Sequence, residues 1–116
     1  MRHSKIKYNI GSSSSHRKSL LRNLAMEVID HGKIKTTHTK CKAVKPFVEK
    51  LITLAKTDSV ANRRLALKKL DNKDAVKTLF QVAANYKERN GGYTRILRLA
   101  DTRVGDGADM SFISLV

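Results

Sequence analysis

The 116-residue sequence has few aromatic residues, a single cysteine and no acidic residue before Glu27. Aromatic residues make up 5% of the chain and tryptophan is absent, so we expect an aliphatic core. The lone Cys41 excludes an internal disulfide framework and is typical of a reducing cytosol. No apolar run approaches the about 20 residues that a membrane-spanning helix needs. The N-terminus also lacks the apolar stretch of a signal peptide, so we expect a cytosolic chain, unprocessed beyond its initiator Met.

Acidic residues are scarce relative to basic ones along the whole chain. The sequence holds 24 Lys and Arg against 10 Asp and Glu, which gives a net charge of +14 and a pI near 10.3. Self-repulsion of this size would weaken an isolated fold, and binding of phosphate would relieve it. A polyanion, by default a nucleic acid, is therefore the expected partner.

The acid-free N-terminal stretch predicts an RNA-binding arm. Residues 1–12 contain too few large apolar side chains to bury themselves, so we expect them to be extended. Arg2, Lys5 and Lys7 would neutralise phosphates, and His3 would stack on or hydrogen-bond to unpaired nucleotides. If about six phosphates are neutralised, the logarithm of the affinity should fall with the logarithm of the salt concentration at a slope of roughly −4 to −5.

Apolar side chains recur at helical spacing in four segments of the sequence. The first helix is predicted to take its N-cap from the serine run and to stop at Gly32, and the second to use Thr39 as its cap. The third is predicted to cover Val60–Leu70, and the fourth to follow the capping pair Asp71–Asn72. Pro46 lies inside the second segment, so that helix either kinks there or begins there.

Three further segments have the composition of strands. Lys33–Thr37 alternates and is β-branched, while Tyr93–Arg103 and Met110–Val116 flank turn residues and so predict a C-terminal hairpin. The sequence therefore predicts an α+β fold with about four helices packed on a small sheet, which is made of the hairpin and the short N-terminal strand. We expect a single globular domain over residues 13–116, preceded by the extended basic arm.

A second cluster of basic residues lies at the start of the first predicted helix. No acid precedes Glu27 to pair with His16, Arg17, Lys18 or Arg22. Free backbone N–H groups at a helix start add to the field that attracts a phosphate, so these residues are predicted to contact RNA. The alternative is an ordinary solvated helix face.

A glycine pair marks a third candidate contact. Gly91 and Gly92 would let the backbone approach another chain closely, while Tyr93 offers a stacking face and Arg95 a planar fork for phosphate. The alternative is a simple helix-to-strand turn. The remaining candidates, which offer a cation or a hydroxyl to an RNA backbone, are Lys35, Thr36, Thr37, Lys40, Arg63 and Arg64.

The sequence holds no pattern typical of a metal site or an active site. His38 and Cys41 are spaced as half of a zinc site, but a closed site needs four ligands and the other histidines form no paired motif. The acids are dispersed, and there is no phosphate-binding loop, nucleophile elbow or acidic cluster for magnesium. We therefore expect no metal, no cofactor and no enzymatic activity.

Several short clusters follow one another in a recognisable order. They are Met1-Arg2-His3, Ser15-His16-Arg17-Lys18 with Leu21-Arg22-Asn23-Leu24, Ile34-Lys35-Thr36-Thr37, Leu51-Ile52-Thr53, Asn62-Arg63-Arg64, Gly91-Gly92-Tyr93-Thr94-Arg95-Ile96, Gly105-Asp106 and Ser114-Leu115-Val116. Over the whole chain this series resembles the bacterial large-subunit ribosomal protein seventeen family. The resemblance implies a structural protein of the large subunit that binds its ribosomal RNA and supports assembly. It also implies a position near the peptide exit beside ribosomal protein thirty-two.

Composition alone leaves two rival functions. A nucleoid-type DNA-binding protein would need a recognition helix or a minor-groove wedge, usually in a symmetric dimer, and neither is evident. A peripheral membrane binder would need a larger apolar anchor than Ile6 and Ile10 provide. We expect a cytoplasmic protein of the large ribosomal subunit, with no membrane or small-molecule partner.

Overall fold

A computed structural model describes residues 10–116, so the predicted arm contacts at Arg2, His3, Lys5 and Lys7 lie outside the described residues. The elements are α1 (Ser14–His31), β1 (Lys33–Thr37), α2 (His38–Ala55), α3 (Val60–Leu70), α4 (Lys73–Ala83), a short 3₁₀ turn (Ala84–Tyr86), β2 (Thr94–Thr102) and β3 (Asp109–Leu115). This arrangement confirms the predicted α+β fold of four helices and a small sheet.

Side-chain caps begin three of the four helices. The Ser13 hydroxyl accepts a hydrogen bond from a backbone N–H in the first turn of α1, and Ser59 and Asn72 do the same for α3 and α4. Gly32 ends α1 in the left-handed conformation, with φ 75°, which glycine adopts at little cost. The predicted starts of these helices and the stop at Gly32 are confirmed.

Helix α2 begins earlier than the sequence predicts. Its N-cap is Thr37 and not Thr39, and Pro46 lies well inside the helix, so the alternative in which the helix begins at Pro46 is wrong. The segment before Pro46 buries Cys41 and Val44 completely. Burial of this apolar face stabilises the first turns of α2, although proline supplies no N–H to the helix.

The sheet has the strand order β1-β3-β2, and β3 is antiparallel to both neighbours. This order confirms the C-terminal hairpin and the joining of Lys33–Thr37 to it. Residues directly opposite each other share a face of the sheet. Fully buried Ile113 lies on the inner face with Ile34 and Ile96, which are its partners on the two edge strands.

The core is largely aliphatic, as the composition predicts. Helix α2 lies at its centre, where Val48, Leu51 and Ile52 are fully buried. These side chains belong to one cluster with α1, α3, α4 and the inner face of the sheet. The helices therefore cover one side of the sheet, and no helix among residues 10–116 covers the other, which we call its solvent side.

Candidate nucleic-acid interface

His16 and Arg17 fasten the chain that precedes α1. The Arg17 Nε donates to the Ile10 carbonyl oxygen at 3.1 Å, and the Ser12 N–H donates to the His16 Nδ1 at 2.9 Å. Gly11 has φ 74°, and a Cβ there would lie 3.1 Å from the Arg17 nitrogen, so this turn requires glycine. Ile10, which the sequence places in the arm, is buried at 6% exposure. Two predicted RNA contacts thus fasten residues 10–12 to the start of α1.

A basic groove runs between α1, α2 and α3. Its volume is about 400 Å³, and we call it the helical groove; it is lined by Lys18, Leu21, Arg22, Phe47, Leu65, Lys68 and Lys69. The Arg22 Nε donates to the Lys69 carbonyl oxygen at 3.1 Å, and its Nη1 lies 4.0 Å from the highly exposed Asp71 carboxylate. The groove therefore combines cations from two helices with an apolar floor, and none of its lining residues is acidic.

Neighbouring arginines on α3 differ in their partners. Arg63 donates through Nε and Nη2 to the two Asp58 oxygens at 2.6 and 2.9 Å, and its guanidinium lies 4.9 Å from the centroid of the Phe80 ring. The Arg63 hydrogen bonds hold the pKa of Asp58 below its usual range. The Arg64 side chain is exposed and makes no hydrogen bond or ion pair with any residue from 10 to 116. Of the two, Arg64 is therefore the more available to a phosphate.

The solvent side of the sheet carries a second basic surface. We call it the sheet face, and the strand register defines it by two rows, Lys33–Ser114–Arg95 and Lys35–Phe112–Leu97. The Lys33 ammonium lies 4.1 Å from the centroid of the Phe112 ring. Leu97 is 51% exposed, which is high for a large apolar side chain in a strand. The sheet thus brings the predicted contacts Lys35 and Arg95, from its two edge strands, onto one surface.

Four residues of the sheet face are not among the contacts predicted from the sequence, namely Lys33, Ser114, Phe112 and Leu97. The alternation of side chains in β3 indicates only that Phe112 points away from Ser111 and Ile113. The structure shows that Ser111 and Ile113 are fully buried. Each face of β3 holds serine and large apolar residues, however, so the sequence does not show which one faces the solvent. The pairing of β3 with β1 and β2 and the packing of the helices determine which face is exposed to the solvent.

The two threonine hydroxyls of β1 do not form one site. Thr36 is opposite Ser111 on the inner face, whereas Thr37 is opposite Met110 on the same side as Lys35. Lys40 is half-buried on α2. Successive strand residues point to opposite faces, so the two threonines cannot position the same stretch of sugar–phosphate backbone.

Tyr93 lies in the core, and the expectation that its ring offers a stacking face is wrong. The side chain is 1% exposed, and its ring packs edge-on against Tyr86 with centroids 5.3 Å apart. Its hydroxyl donates to the Arg89 carbonyl oxygen at 3.1 Å and accepts from the Lys56 Nζ at 3.2 Å. Because the ring has a buried apolar surface and a satisfied hydroxyl, Tyr93 stabilises the domain and offers no face to a base.

The glycine pair forms the turn into β2. Gly91 and Gly92 are exposed, and Gly92 has φ 63°. The Thr94 hydroxyl donates to the Glu49 Oε1 at 3.0 Å, which fastens this turn to α2 and places a carboxylate beside it. A nearby carboxylate disfavours an anion, so the contribution of the turn to a nucleic-acid surface lies in carrying Arg95 onto the sheet face.

His38 and Cys41 meet at Ser111 of β3. The His38 Nδ1 lies 2.7 Å from the Ser111 Oγ, and the Cys41 thiol donates to the Ser111 carbonyl oxygen at 3.6 Å. Burial raises the pKa of Cys41 to about 11 and lowers that of His38. In the described part of the chain, no group of three or more His, Cys, Asp or Glu residues could hold a metal ion. The pair therefore fastens α2 to the sheet.

The comparison with known protein families covers most of the domain. The family model described as Ribosomal protein L17 matches residues 20–116, which include both the helical groove from Leu21 onward and the sheet face. The helices within residues 10–116 include none with the length and apolarity required to cross a membrane. The matched family is one of structural, non-enzymatic proteins of the large ribosomal subunit. The chain belongs to the ribosomal protein L17 family.

Proposed function

We propose that the protein binds large-subunit ribosomal RNA through its N-terminal arm and two basic surfaces, and that it supports assembly of the subunit. Family membership supports a structural role in the large subunit. The observation that carries RNA binding is the pair of surfaces, the helical groove and the sheet face, where cations accompany exposed or half-buried apolar side chains and none of the defining residues is acidic.

Each surface has the chemistry of a site for an RNA backbone. In the helical groove, Lys18 and Arg22 from α1 stand opposite Lys68 and Lys69 from α3, so a strand of phosphates could be held between two walls of positive charge. Contacts of this kind position an RNA without reading its sequence. The protein then acts as a scaffold and a counter-charge that recognises the shape of folded RNA.

The arm would extend the same interaction away from the domain. Arg2, Lys5 and Lys7 would neutralise phosphates, and His3 would contact unpaired nucleotides. The hydrogen bonds of His16 and Arg17 support this role, because they hold residues 10–12, which follow the basic residues of the arm in sequence, against the start of α1. Dense phosphate would stabilise an extended basic segment that cannot bury a core of its own.

Neighbouring proteins of the large subunit would complete the environment, and the sequence resemblance points to ribosomal protein thirty-two. The protein would work within this cytoplasmic particle, without a cofactor. A catalytic role has no support, because the family is a structural one.

Salt-dependent binding tests the proposal. The full chain is titrated onto a fragment of large-subunit ribosomal RNA and onto a DNA duplex of equal length. We expect tighter binding to the RNA, with a slope of log affinity against log salt of roughly −4 to −5 if about six phosphates are neutralised. A slope shallower than about −2, or equal affinity for the DNA duplex, would contradict the proposal and favour a nucleoid-type protein.

A further inference from the structure

We infer that the sheet face binds an unpaired nucleotide of RNA, with the base stacked on the Phe112 ring and the flanking phosphates held by Lys33, Lys35 and Arg95. This inference rests on the proposed function, and it names the residue that contacts a base and the kind of RNA that the surface accepts.

Phe112 lies at the centre of the surface. It is on the middle strand, directly opposite Lys35 of one edge strand and Leu97 of the other. Adjacent strands are about 4.8 Å apart, so the two neighbouring side chains flank the ring on either side. Leu97 is 51% exposed and extends the apolar area beside the ring. A flat apolar area with cations at its edges matches a nucleotide, in which a planar base is joined to charged phosphate.

The charge of this face selects a polyanion as the occupant. Lys33, Lys35 and Arg95 are all exposed, and none of the residues that the register pairs with them is acidic. The acid of β3, Asp109, alternates onto the face of Ser111 and Ile113 and forms an ion pair with Arg98. A protein partner with a neutral apolar surface would leave three cations without counter-charges, whereas an RNA backbone would neutralise them.

The position of Lys33 allows a base to replace its ammonium on the Phe112 ring. Its ammonium lies 4.1 Å from the centroid of the Phe112 ring and covers one face of it. Phe112 is half-buried, and a cation over a solvent-accessible ring is worth about 2- to 5-fold in an equilibrium constant. A base stacked on an aromatic ring is worth about 5- to 150-fold, so an incoming base displaces the ammonium from the ring. The freed ammonium then lies beside the nucleotide and neutralises its phosphate.

The test uses the full chain and two probes. One is a single-stranded RNA of about nine nucleotides with a central 2-aminopurine, whose fluorescence is quenched by stacking, and the other is the same sequence as a duplex. Phe112→Leu keeps an apolar side chain and removes the ring. We expect this variant to bind the single strand about 5- to 150-fold more weakly, to lose the quenching and to keep the salt slope. Phe112→Trp should restore both signals.

Controls separate the sheet face from the rest of the protein. Phe47→Leu makes the same change in the helical groove, so any loss of overall affinity reports on that groove, whereas the quenching at the sheet face should remain. Duplex binding should be equal in the wild-type protein and in Phe112→Leu, because paired bases offer no free face. Urea unfolding should show that the Phe112 variants remain folded, since the ring lies on the solvent side of the sheet.

Three results would overturn the inference. If Phe112→Leu binds RNA and quenches the fluorescence as the wild-type protein does, the base does not stack on Phe112. RNA binding by the wild-type protein would still support the proposed function. If the quenching is lost in Phe47→Leu and kept in Phe112→Leu, the base stacks in the helical groove and not on the sheet face. A photo-crosslinker at position 97 that captures a ribosomal protein, and not RNA, in assembled large subunits would assign the sheet face to a protein partner.

Discussion

The Arg22 guanidinium on α1 donates a hydrogen bond to the carbonyl oxygen of Lys69 on α3, with 3.1 Å between Nε and O. This carbonyl is in the last turn of α3, where the helix supplies no backbone donor of its own. The bond therefore satisfies an end group and joins two helices that are far apart in sequence. Because Arg22 also lines the helical groove, one side chain contributes to the stability of the domain and to its positive surface.

The first prediction concerns this bond. Arg22→Gln should lower the free energy of unfolding by about 1 kcal/mol, since a hydrogen bond from a charged group is worth roughly 1.5–3 kcal/mol and partial exposure reduces it. Urea unfolding followed by circular dichroism measures the change. Arg64→Gln is the matched control on α3 and should stay within about 0.5 kcal/mol of the wild-type protein. Equal losses in both variants would contradict a special role for the Arg22–Lys69 bond.

The second prediction compares the two neighbouring arginines in RNA binding. Arg64→Gln should make the salt slope shallower by about 0.7–0.9, the contribution of one phosphate. Arg63→Gln should change the slope less, because Asp58 already neutralises Arg63. The slopes come from titrations of each variant at several salt concentrations. A larger change in Arg63→Gln would show that RNA displaces Asp58 and would contradict the assignment of Arg64 as the available cation.

The third prediction separates Tyr93 from the RNA surface. Tyr93→Phe removes a hydroxyl that bonds the Arg89 carbonyl and the Lys56 ammonium, and it should cost about 1 kcal/mol of unfolding free energy. Its affinity for RNA should be unchanged, because the ring is buried. Phe112→Leu should show the opposite pattern, with reduced affinity and near-normal stability. An affinity loss in Tyr93→Phe that exceeds its effect on folding would restore the stacking role that the sequence predicted.

Much of the fold could be predicted because its signals are local. Helix α3 has the predicted bounds, Val60–Leu70, since Ser59 supplies a side-chain cap and apolar spacing sets its length. The strand Lys33–Thr37 also matches, because β-branched residues follow the glycine that ends α1. The start of α2 was harder to predict, because Thr37 caps it without a side-chain hydrogen bond and Thr39 offers a competing cap residue.

The candidate site could be predicted only in part, because it depends on long-range pairing. Lys35 and Arg95 were identifiable from the sequence as basic residues that could contact RNA. The sheet order that puts them on one face with Phe112, however, has no local signature. The burial of Tyr93 likewise follows from packing against Tyr86. A basic residue is recognisable in a sequence, whereas its partner, as in the hydrogen bond from Arg22 to the Lys69 carbonyl oxygen, depends on the fold.

The fourth prediction concerns Cys41. Burial raises the pKa of its thiol to about 11, and the side chain is fully buried. At about pH 8, only about one thiol in a thousand would be ionised, so iodoacetamide should label the folded protein very slowly. The rate should rise about tenfold for each pH unit up to the pKa, and unfolding in urea should make the thiol react quickly. Rapid stoichiometric labelling of the folded protein would contradict this prediction.

The central claim is that this protein is a component of the large ribosomal subunit held there by RNA. Sedimentation of a lysate containing the tagged full chain through a sucrose gradient tests it most directly. We expect the protein to migrate with the large subunit and to remain there after a moderate salt wash, because many phosphate contacts act together with the fitted surfaces. Recovery of the protein with DNA, with membranes or in the free fractions at the top of the gradient would contradict the claim.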